Sequence, residues 1–363
     1  RRQRQMCIRD RYYFKLIKCQ IPKFRKRTMN ILMTVESFYP HIGGLESITE
    51  SLANEFFSMG HSVVVITNTT EKGEKDFPYT VLRKPSLLKI WETYNWCDVF
   101  VHQQISLKMI WPLFLKRKPW YVVFHQVHWQ NGIKGRIKFL VTKFSRNISV
   151  SRTTANGYGL KKSCIIYNAY NNDDFQRTNY EVRKDIAFVG RLTKEKGVYL
   201  LIDAFNQFKS RTDSNYILKI IGDSQERADI ERYALQSQYA NNIHFFGSKT
   251  PKEISAILNE TDILAVTSTH PYYEAFGIVA LEGLACGCSV IGADGDGIEE
   301  ALHTCGILYK NGDVNDLCKA LIIASNLTEK DKMEQYQKSV EWLKTRTKHN
   351  VASEYLRVFT MQE

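Results

Sequence analysis

The sequence predicts an α/β protein of two Rossmann-like, doubly wound domains, and three observations support this class. The chain has 363 residues, enough for two hydrophobic cores, and its 44% hydrophobic and 24% charged content is ordinary for a globular protein. Short apolar runs alternate with amphipathic stretches, which is typical of parallel strands joined by helices. The alternation starts twice, at Met29 and at Asp185, on either side of a polar segment.

The first alternation predicts an N-terminal domain over residues 29–166. A helix is expected over residues 45–59, directly after the first strand. The predicted strands are 30–36, 62–67, 98–102, 120–125 and 147–150. Residues 167–184 are rich in Asn and Asp and lack periodicity, which indicates an interdomain linker.

The second alternation predicts a C-terminal domain over residues 185–344. Its first strand, 186–190, leads into a helix whose apolar side chains follow the i, i+3, i+4, i+7 spacing of one helical face. Those side chains are Val198, Leu201, Ile202 and Phe205. The remaining strands are expected at 216–221, 242–246, 262–267 and 288–292, followed by helices over 313–325 and 329–362. Residues 345–363 form the C-terminal part of this last helix.

The formal charge of +12 is concentrated at the start of the chain. Residues 1–28 contain eleven Lys or Arg and a single acid, Asp10, so the other residues carry a net charge of +2. This balance gives no reason to expect a nucleic-acid partner. Residues 1–11 resemble a translated sequencing adapter, so we expect residues 1–28 to be a non-native leader and Met29 to be the native start. The alternative is a basic arm that binds membranes.

Cysteine spacing and hydropathy limit the class further. The six cysteines after residue 28 lack the paired Cys-x-x-Cys spacing of a zinc site, so no metal is predicted and reduced thiols are expected. No uninterrupted apolar run approaches 18 residues. The sequence therefore predicts a cytoplasmic protein, with peripheral attachment to the cytoplasmic membrane face as an alternative.

Two carboxylates, Glu274 and Glu282, are the most informative residues of the chain. Glu282 is the only charge between residues 278 and 289, in a helix that is apolar on nearly all sides and therefore expected to be buried. A buried carboxylate needs a cation or hydroxyl partner. Glu274 precedes this helix, in the loop that follows a predicted strand. In a helix the two acids would stand about 12 Å apart, which suits a ligand of nucleotide-sugar size.

The same loop is placed to bind phosphate. Ligands of open parallel sheets bind beyond the carboxyl ends of the strands. The helix that follows has unpaired amides at its N-terminus, and such a terminus suits a phosphate group. The amides expected there belong to Phe276, Gly277, Ile278 and Val279.

Residues 271–291 resemble the paired-glutamate motif of family 4 retaining glycosyltransferases, the glycosyl transferases group 1. The resemblance implies a GT-B fold, in which two doubly wound domains face a central cleft and the last helix crosses back onto the first domain. It implies transfer of a hexose-type sugar from a UDP- or GDP-sugar to a saccharide or lipid-linked acceptor, as in polysaccharide or glycan biosynthesis. No cofactor or divalent metal is implied.

The resemblance also assigns roles to residues of the second domain. Glu274 is expected to hold the donor sugar, and Glu282 the ribose. Arg191 and Lys196, beside Gly190, resemble the clamp that stabilises the leaving diphosphate, which is where electrostatic catalysis acts. The ordinary alternative for Lys196 is a solvated turn over residues 193–196.

Three first-domain residues carry weaker signals. Gly43 and Gly44 resemble the diglycine loop that approaches donor phosphates and acceptor, although a tight turn using the positive φ of glycine is the alternative. A Gly-x-Gly-x-x-Gly motif is absent there, which disfavours a nicotinamide enzyme. His125 aligns with a histidine that contacts the donor sugar, although a histidine at a strand end is more often structural.

Two further segments remain open between a functional and an ordinary interpretation. Glu300 matches an acidic position in a loop motif from which this chain departs at Asp296 and Glu299, and a simple helix start is the alternative. Residues 134–146 alternate cations with apolar side chains, and residues 116–118 are basic. They predict either an amphipathic helix packed on the sheet or a surface that contacts anionic lipid.

Two rival functions share the predicted fold. One is a non-catalytic protein that binds nucleotide sugars, and the other is a nucleotide-sugar epimerase. The presence of Arg191, Lys196, Glu274 and Glu282 together favours a transferase.

Overall fold

The computed structural model describes residues 28–41, 43–127, 132–181, 183–212, 214–269 and 274–361. Of the expected leader, residues 1–27 lie outside the described residues, as do residues 271–273 of the paired-glutamate segment. The described residues form two parallel sheets of seven and six strands.

The first sheet lies in the N-terminal half and consists of parallel strands in the order β3-β2-β1-β4-β5-β6-β7. The strands are β1 (Asn30–Val35), β2 (Ser62–Thr67), β3 (Thr80–Arg83), β4 (Val99–Gln103), β5 (Trp120–Phe124), β6 (Arg146–Ser149) and β7 (Ser163–Ile165). Their connections contain α1 (Gly44–Ser58), α2 (Leu87–Trp96), α3 (Pro112–Leu115), α4 (Ile133–Thr142), α5 (Arg152–Gly157) and a 3₁₀ turn (Leu107–Met109). The strand order reverses between β1 and β4, which makes that edge the switch point of the sheet.

The alternation of β1 shows why this sheet is buried on both faces. Ile31 and Met33 join one apolar cluster, which includes Phe56 of α1. Leu32 points to the opposite face and joins a second cluster with Tyr94 of α2. Successive side chains of a strand point to opposite faces, so a strand covered on both sides has to be apolar throughout.

The second sheet has the parallel order β10-β9-β8-β11-β12-β13. Its strands are β8 (Asp185–Val189), β9 (Ile217–Ile221), β10 (Ile243–Gly247), β11 (Ile263–Val266), β12 (Ser289–Ala293) and β13 (Ile307–Tyr309). Its helices are α6 (Val198–Arg211), α7 (Arg227–Leu235), α8 (Pro251–Asn259), α9 (Ile278–Ala285), α10 (Gly297–Leu302), α11 (Val314–Ser325) and α12 (Glu329–Lys344). The switch point lies between β8 and β11, and the loops that follow these strands carry the segments around Arg191 and Glu274.

The long helix predicted over 329–362 is wrong in one respect, because it is interrupted before α13 (Lys348–Thr360). Thr347 is the N-cap of α13, and its hydroxyl accepts a hydrogen bond from the Asn350 amide at 3.3 Å. At the break, Arg346 is buried and donates to Glu354 at 2.6 Å. Helical periodicity continues across the break, so the pattern alone does not show it.

Helix α13 packs against the first domain. The ring of Phe359 lies 5.9 Å from that of Phe56 and 4.7 Å from that of Tyr121. The Tyr121 hydroxyl also donates to the Val358 carbonyl at 3.2 Å. The chain thus returns to its first sheet after completing the second.

The described residues contain free cysteines and no candidate for a membrane-spanning helix. None of the helices there is both long and apolar enough to span a bilayer. The six cysteines from Cys97 to Cys318 are free thiols.

Candidate functional site

A cleft of about 370 Å³ lies where the carboxyl ends of β8 and β11 face the first domain. Nine of the predicted site residues line it: Gly44, His125, Gly190, Lys196, Glu274, Phe276, Gly277, Ile278 and Val279. Gly43, Arg191 and Glu282 do not line it directly. Gly43 and Arg191 are chain neighbours of lining residues, and Glu282 follows one helical turn after Ile278.

Glu274 is held as a carboxylate beside Lys196. The two side chains form an ion pair, and the Ser268 hydroxyl donates to the same carboxylate oxygen at 2.9 Å. Burial alone would raise the pKa of Glu274, but Lys196, Ser268 and the more distant Arg191 together bring the pKa below its ordinary value. The charged form is therefore the stable one at neutral pH.

Backbone geometry places Lys196 over the end of β11. Lys196 closes a 3₁₀ turn (Lys194–Lys196) and is followed by Gly197, whose φ is +72°. A Cβ on Gly197 would come within 1.9 Å of the Thr267 carbonyl oxygen, so only glycine fits. The Thr267 hydroxyl then donates to the Lys196 carbonyl at 2.9 Å. These contacts make Lys196 part of a fixed loop rather than of a solvated turn.

Asp296 supports the Glu274 loop from behind, a role that the sequence interpretation missed. Its carboxylate accepts from the Glu274 amide at 3.2 Å and from the Ile298 amide at 2.7 Å, which makes it the N-cap of α10. Asp296 is 1% exposed, and burial raises its pKa to about 7. An Asp directly before a glycine-initiated helix is a capping signal that could have been recognised.

The N-terminus of α9 offers free amides at the cleft. Gly277 is the residue before this helix and has a φ of +82°, a conformation that favours glycine. The amides of Gly277, Ile278 and Val279 donate to no acceptor among the described residues. Such amides at the positive end of a helix dipole form an anion-binding geometry.

Glu282 lies on α9 and is partly buried. Within the described part of the chain its carboxylate has no hydrogen-bond partner and no ion pair. Burial raises the pKa of Glu282 to about 7, so it is poised between its neutral and charged forms near physiological pH. This is the carboxylate for which the sequence demands a partner.

Arg191 is exposed at the end of β8. It forms no ion pair within the described ranges, and its charge contributes to the lowered pKa of Glu274. A guanidinium in this position remains free to bind a phosphate or carboxylate group.

His125 faces the cleft from the first domain. Its Nε2 lies 2.8 Å from the Gln103 side-chain oxygen, and its Nδ1 is buried without a partner among the described residues. Burial lowers the pKa of His125 to about 4, so the ring is neutral at pH 7. A neutral ring with one unused nitrogen can hydrogen-bond a hydroxyl group. Gln103 gave no signal in the sequence beyond its position at a strand end.

The diglycine loop begins α1. Gly43 is extended, with a φ of −162°, so the positive-φ turn offered as its alternative is not present. Gly44 lines the cleft, and a Cβ there would meet open space. A side chain introduced at Gly44 by substitution would therefore project toward the cleft.

Glu300 links the two domains. Its carboxylate accepts from the Arg152 and Thr153 amides, each at 2.8 Å, and from the Thr153 hydroxyl at 2.9 Å. These groups lie at the start of α5 in the first domain. Nearby, the Tyr167 ring stacks on Phe276 with centroids 5.2 Å apart. Glu300 thus acts as a cap across the domain boundary.

The basic segment that contains α4 exposes most of its apolar side chains, although Val141 packs against the second apolar cluster of the first sheet. Ile133 is 77% exposed, Leu140 is 56% exposed and Phe144 is 78% exposed. Phe114 and Leu115, beside the basic residues 116–118, are also exposed. Packing on the sheet, one of the two interpretations of this segment, is therefore wrong for these side chains.

The two-sheet architecture is shared with solved structures. The crystal structure of Anabaena HepE in complex with UDP-glucose has a TM-score of 0.74, covering 92% of this chain and 99% of that chain at 17% identity. At that identity the likeness shows the fold. The protein is a GT-B protein, and the predicted fold class is confirmed.

A family model matches the second half of the chain. Residues 170–340 match the family model for glycosyl transferases group 1. This match covers the second domain and confirms the resemblance of residues 271–291 to that family. Within the described residues, no group of three or more His, Cys, Asp or Glu side chains is arranged to hold a metal ion.

Two curated proteins are similar in sequence. An uncharacterized glycosyltransferase of Methanocaldococcus jannaschii is 29% identical over 228 residues, which cover 59% of this chain and 61% of that protein. The phosphatidylinositol N-acetylglucosaminyltransferase GPI3 subunit of Saccharomyces cerevisiae is 24% identical over 352 residues, covering 82% of this chain and 75% of that protein.

Proposed function

We propose that the protein is a retaining glycosyltransferase that moves a hexose-type sugar from a nucleotide diphosphate sugar to a saccharide or lipid-linked acceptor. The observation that carries the proposal is the pairing of Lys196 with Glu274 at the N-terminus of α9. A cation, a carboxylate and free helix amides converge there on one cleft. That combination suits a diphosphate joined to a sugar.

Each charged residue has a part in donor binding. The leaving diphosphate rests on Arg191, Lys196 and the α9 amides, which stabilise negative charge as the sugar bond breaks. When the diphosphate takes over Lys196, Glu274 is released to hold the sugar hydroxyls. Glu282 accepts hydrogen bonds from the ribose, and His125 supports the sugar from the opposite side of the cleft.

The anomeric configuration of the sugar is retained if the acceptor attacks the sugar from the same face that the diphosphate leaves. The diphosphate then accepts the proton of the acceptor hydroxyl, so no carboxylate has to act as a nucleophile. The cations and amides supply the charge stabilisation that a divalent metal provides in other enzymes. Full activity after exhaustive chelation is the expected result, and activity that returns only with added Mg²⁺ or Mn²⁺ would contradict it.

UDP-glucose is the first donor to test. HepE was crystallised with UDP and with UDP-glucose, and the present chain shares its fold. The sequence left GDP-sugars open as well. A panel of UDP- and GDP-sugars, read as the rise in apparent melting temperature, identifies the donor because a ligand of the folded state stabilises it.

Product analysis separates the transferase from its rivals. The selected donor is incubated with and without saccharide and lipid-linked acceptors, and the anomeric configuration of the product is read by NMR. A transferred sugar with retained configuration supports the proposal. Isomerised donor without transfer indicates an epimerase, and donor binding without turnover indicates a non-catalytic protein.

We also propose that α4 attaches the protein to anionic membranes at the cytoplasmic face. Residues 132–146 contain five cations and no acid, and several apolar side chains between them are exposed. Exposed apolar groups enter the lipid interface while the cations meet anionic headgroups. Vesicle flotation tests this with Ile133→Ser/Leu140→Ser. A matched control is Leu235→Ser, at a residue on α7 that is 75% exposed.

The α4 double variant is expected to lose most vesicle binding, while the Leu235 variant binds anionic vesicles as the parent protein does. Failure of the parent protein to float with anionic vesicles would remove the membrane proposal. It would leave the donor site untouched, because no residue of α4 lines the donor cleft.

A further inference from the structure

The first domain has a second cavity, of about 490 Å³, at the switch point of its own sheet. It lies between Glu36, the residue directly after β1, and the segment that follows β4, which includes Lys108. Parallel sheets bind ligands at this place, because the loops diverge there and leave a crevice. The donor roles assigned above leave this crevice unused.

Positive charge dominates the walls of the cavity. Lys108, Lys134 and Lys138 line it, and Glu36 is the only acid among the lining residues that the structure describes. The Glu36 carboxylate already accepts a hydrogen bond from Asn68 at 2.8 Å. Lys108 and Lys134 form no ion pair within the described part of the chain. The cavity therefore has an excess of cationic groups.

The positions of these lysines are unfavourable for the helix itself. Lys134 and Lys138 are four residues apart on α4, so they lie on the same helical face and repel each other. Lys134 also falls in the first turn, where the helix dipole disfavours a cation. A bound anion offsets both effects. Lysines converging as point charges suit a phosphate group.

The cavity borders the donor cleft. Gln104 lines both, and it adopts a φ of +79°, which a residue other than glycine rarely does. Its side chain donates to Gln126, another residue of the donor cleft, at 2.9 Å. A molecule in the second cavity thus lies beside the sugar that the first cleft would hold. This is the position of an acceptor.

We infer that the cavity lined by Lys108, Lys134 and Lys138 is the acceptor subsite for a phosphate group, so the acceptor is a phosphorylated molecule. The occupant is an acceptor only if the proposed function is correct, whereas the phosphate site itself does not depend on that function. Ile137 lies between two of the lysines in sequence and is exposed on α4. An apolar chain attached to the phosphate would run along that helix.

Calorimetric titration tests the site with sn-glycerol 3-phosphate as the probe, in saturating UDP so that the donor phosphate site is filled. Lys108→Ala/Lys134→Ala removes two cations from the cavity. The matched control, Arg136→Ala/Lys143→Ala, removes two cations from the same segment that do not line the cavity. The cavity variant is expected to bind the probe at least about tenfold more weakly, since hydrogen bonds to charged groups are lost. The control is expected to stay within about twofold.

Two results would overturn the inference: no binding of the probe by the parent protein, or equal losses in both double variants. UDP affinity is measured in the same series and is expected to be unchanged in both. A parent protein that fails to bind UDP would reject the donor site instead. The phosphate titration, repeated without nucleotide, would then still decide on the cavity.

A second probe distinguishes a soluble acceptor from a lipid. Dihexanoyl phosphatidic acid, below its micellar concentration, carries the same phosphate on a short apolar molecule. Tighter binding than sn-glycerol 3-phosphate, lost in Ile137→Ser, identifies a lipid phosphate as the acceptor class. Equal affinity for the two probes identifies a soluble phosphorylated acceptor. Both results require the lysine cavity.

Discussion

Glu274 and Glu282 lie eight positions apart, yet their surroundings shift their pKa values in opposite directions. Burial opposes the charge of both, but Glu274 has Lys196 and Ser268 as partners, and its pKa falls. Glu282 has no such partner among the described residues, and its pKa rises to about 7. The first is a fixed charge at the cleft, and the second is a group whose charge depends on pH and on its ligand.

The affinity for UDP-glucose should therefore depend on pH through Glu282. The ionised carboxylate accepts hydrogen bonds from both ribose hydroxyls, so lowering the pH below the pKa of about 7 weakens binding. Between pH 8 and pH 6 the expected loss is roughly tenfold, as protonation competes with the ligand. We choose UDP-glucose as the ligand for this experiment because the terminal phosphate of UDP itself titrates in this pH range.

Glu282→Gln is the matched variant for this titration. It is expected to bind more weakly at pH 8 and to lose most of the pH dependence. If the UDP-glucose affinity of Glu282→Gln kept its full pH dependence, another group, such as Asp296, would control that dependence.

Sequence reasoning found the charged residues of the site but not the residues that hold them. Glu282 was recognisable because a single acid in an apolar helix is unusual. Ser268 was not, since serines near strand ends are common, and Asp296 carried only the signal of a helix N-cap. Their roles appear only when the Glu274 loop is folded against both.

At the scale of elements, the start of α9 depends on the backbone of Gly277. Its φ of +82° is unfavourable for alanine, and an added Cβ would also approach Ile298 at 3.2 Å. Gly277→Ala should lower the free energy of unfolding by about 1–2 kcal/mol. It should also weaken UDP binding, because the free amides of the first turn move.

Gly312→Ala is the control, since Gly312 has a φ of +79° and open space around it. Its stability loss, read from urea unfolding, should be similar, but its UDP affinity should be unchanged. Equal UDP affinities in the two variants would contradict the role of the α9 terminus.

Element prediction succeeded where apolar runs were long and failed where local signals were short. Strands β3, β7 and β13, of three or four residues, were not predicted. The interruption before α13 was missed because a threonine N-cap is a local hydrogen bond, not a change in periodicity. The order of strands in each sheet could likewise not be predicted from the apolar pattern, because strand pairing depends on contacts between residues distant in sequence.

At the scale of the whole molecule, Glu300 holds the first helix turn of α5 across the domain boundary. Glu300→Ala removes these bonds and should destabilise the interface by about 1 kcal/mol, as loss of an N-cap does. Hydrogen exchange of the Arg152 and Thr153 amides should accelerate, and transfer should slow while UDP affinity is retained.

Glu299→Ala is the neighbouring control, because the Glu299 carboxylate accepts from the Gly295 amide, within the second domain. Its effect on exchange at residues 152 and 153 should be negligible. Unchanged exchange in Glu300→Ala would show that this contact does not couple the domains.

The GT-B fold followed from the sequence because each half repeats the same alternation and the paired-glutamate segment marks the second half. The arrangement of the domains was available only through the resemblance. Contacts such as the stacking of Tyr167 on Phe276 join residues more than one hundred positions apart. Such distant pairs leave no periodic signal in one sequence.

Donor binding to the cleft is the central claim, and calorimetric titration with UDP-glucose tests it most directly. Lys196→Ala and Glu282→Ala should each weaken binding by roughly tenfold or more, because each removes a hydrogen bond to a charged group. Lys194→Ala, from the same 3₁₀ turn but with an exposed side chain, should bind as the parent protein does. Unchanged affinity in both the Lys196 and Glu282 variants would contradict the assigned site.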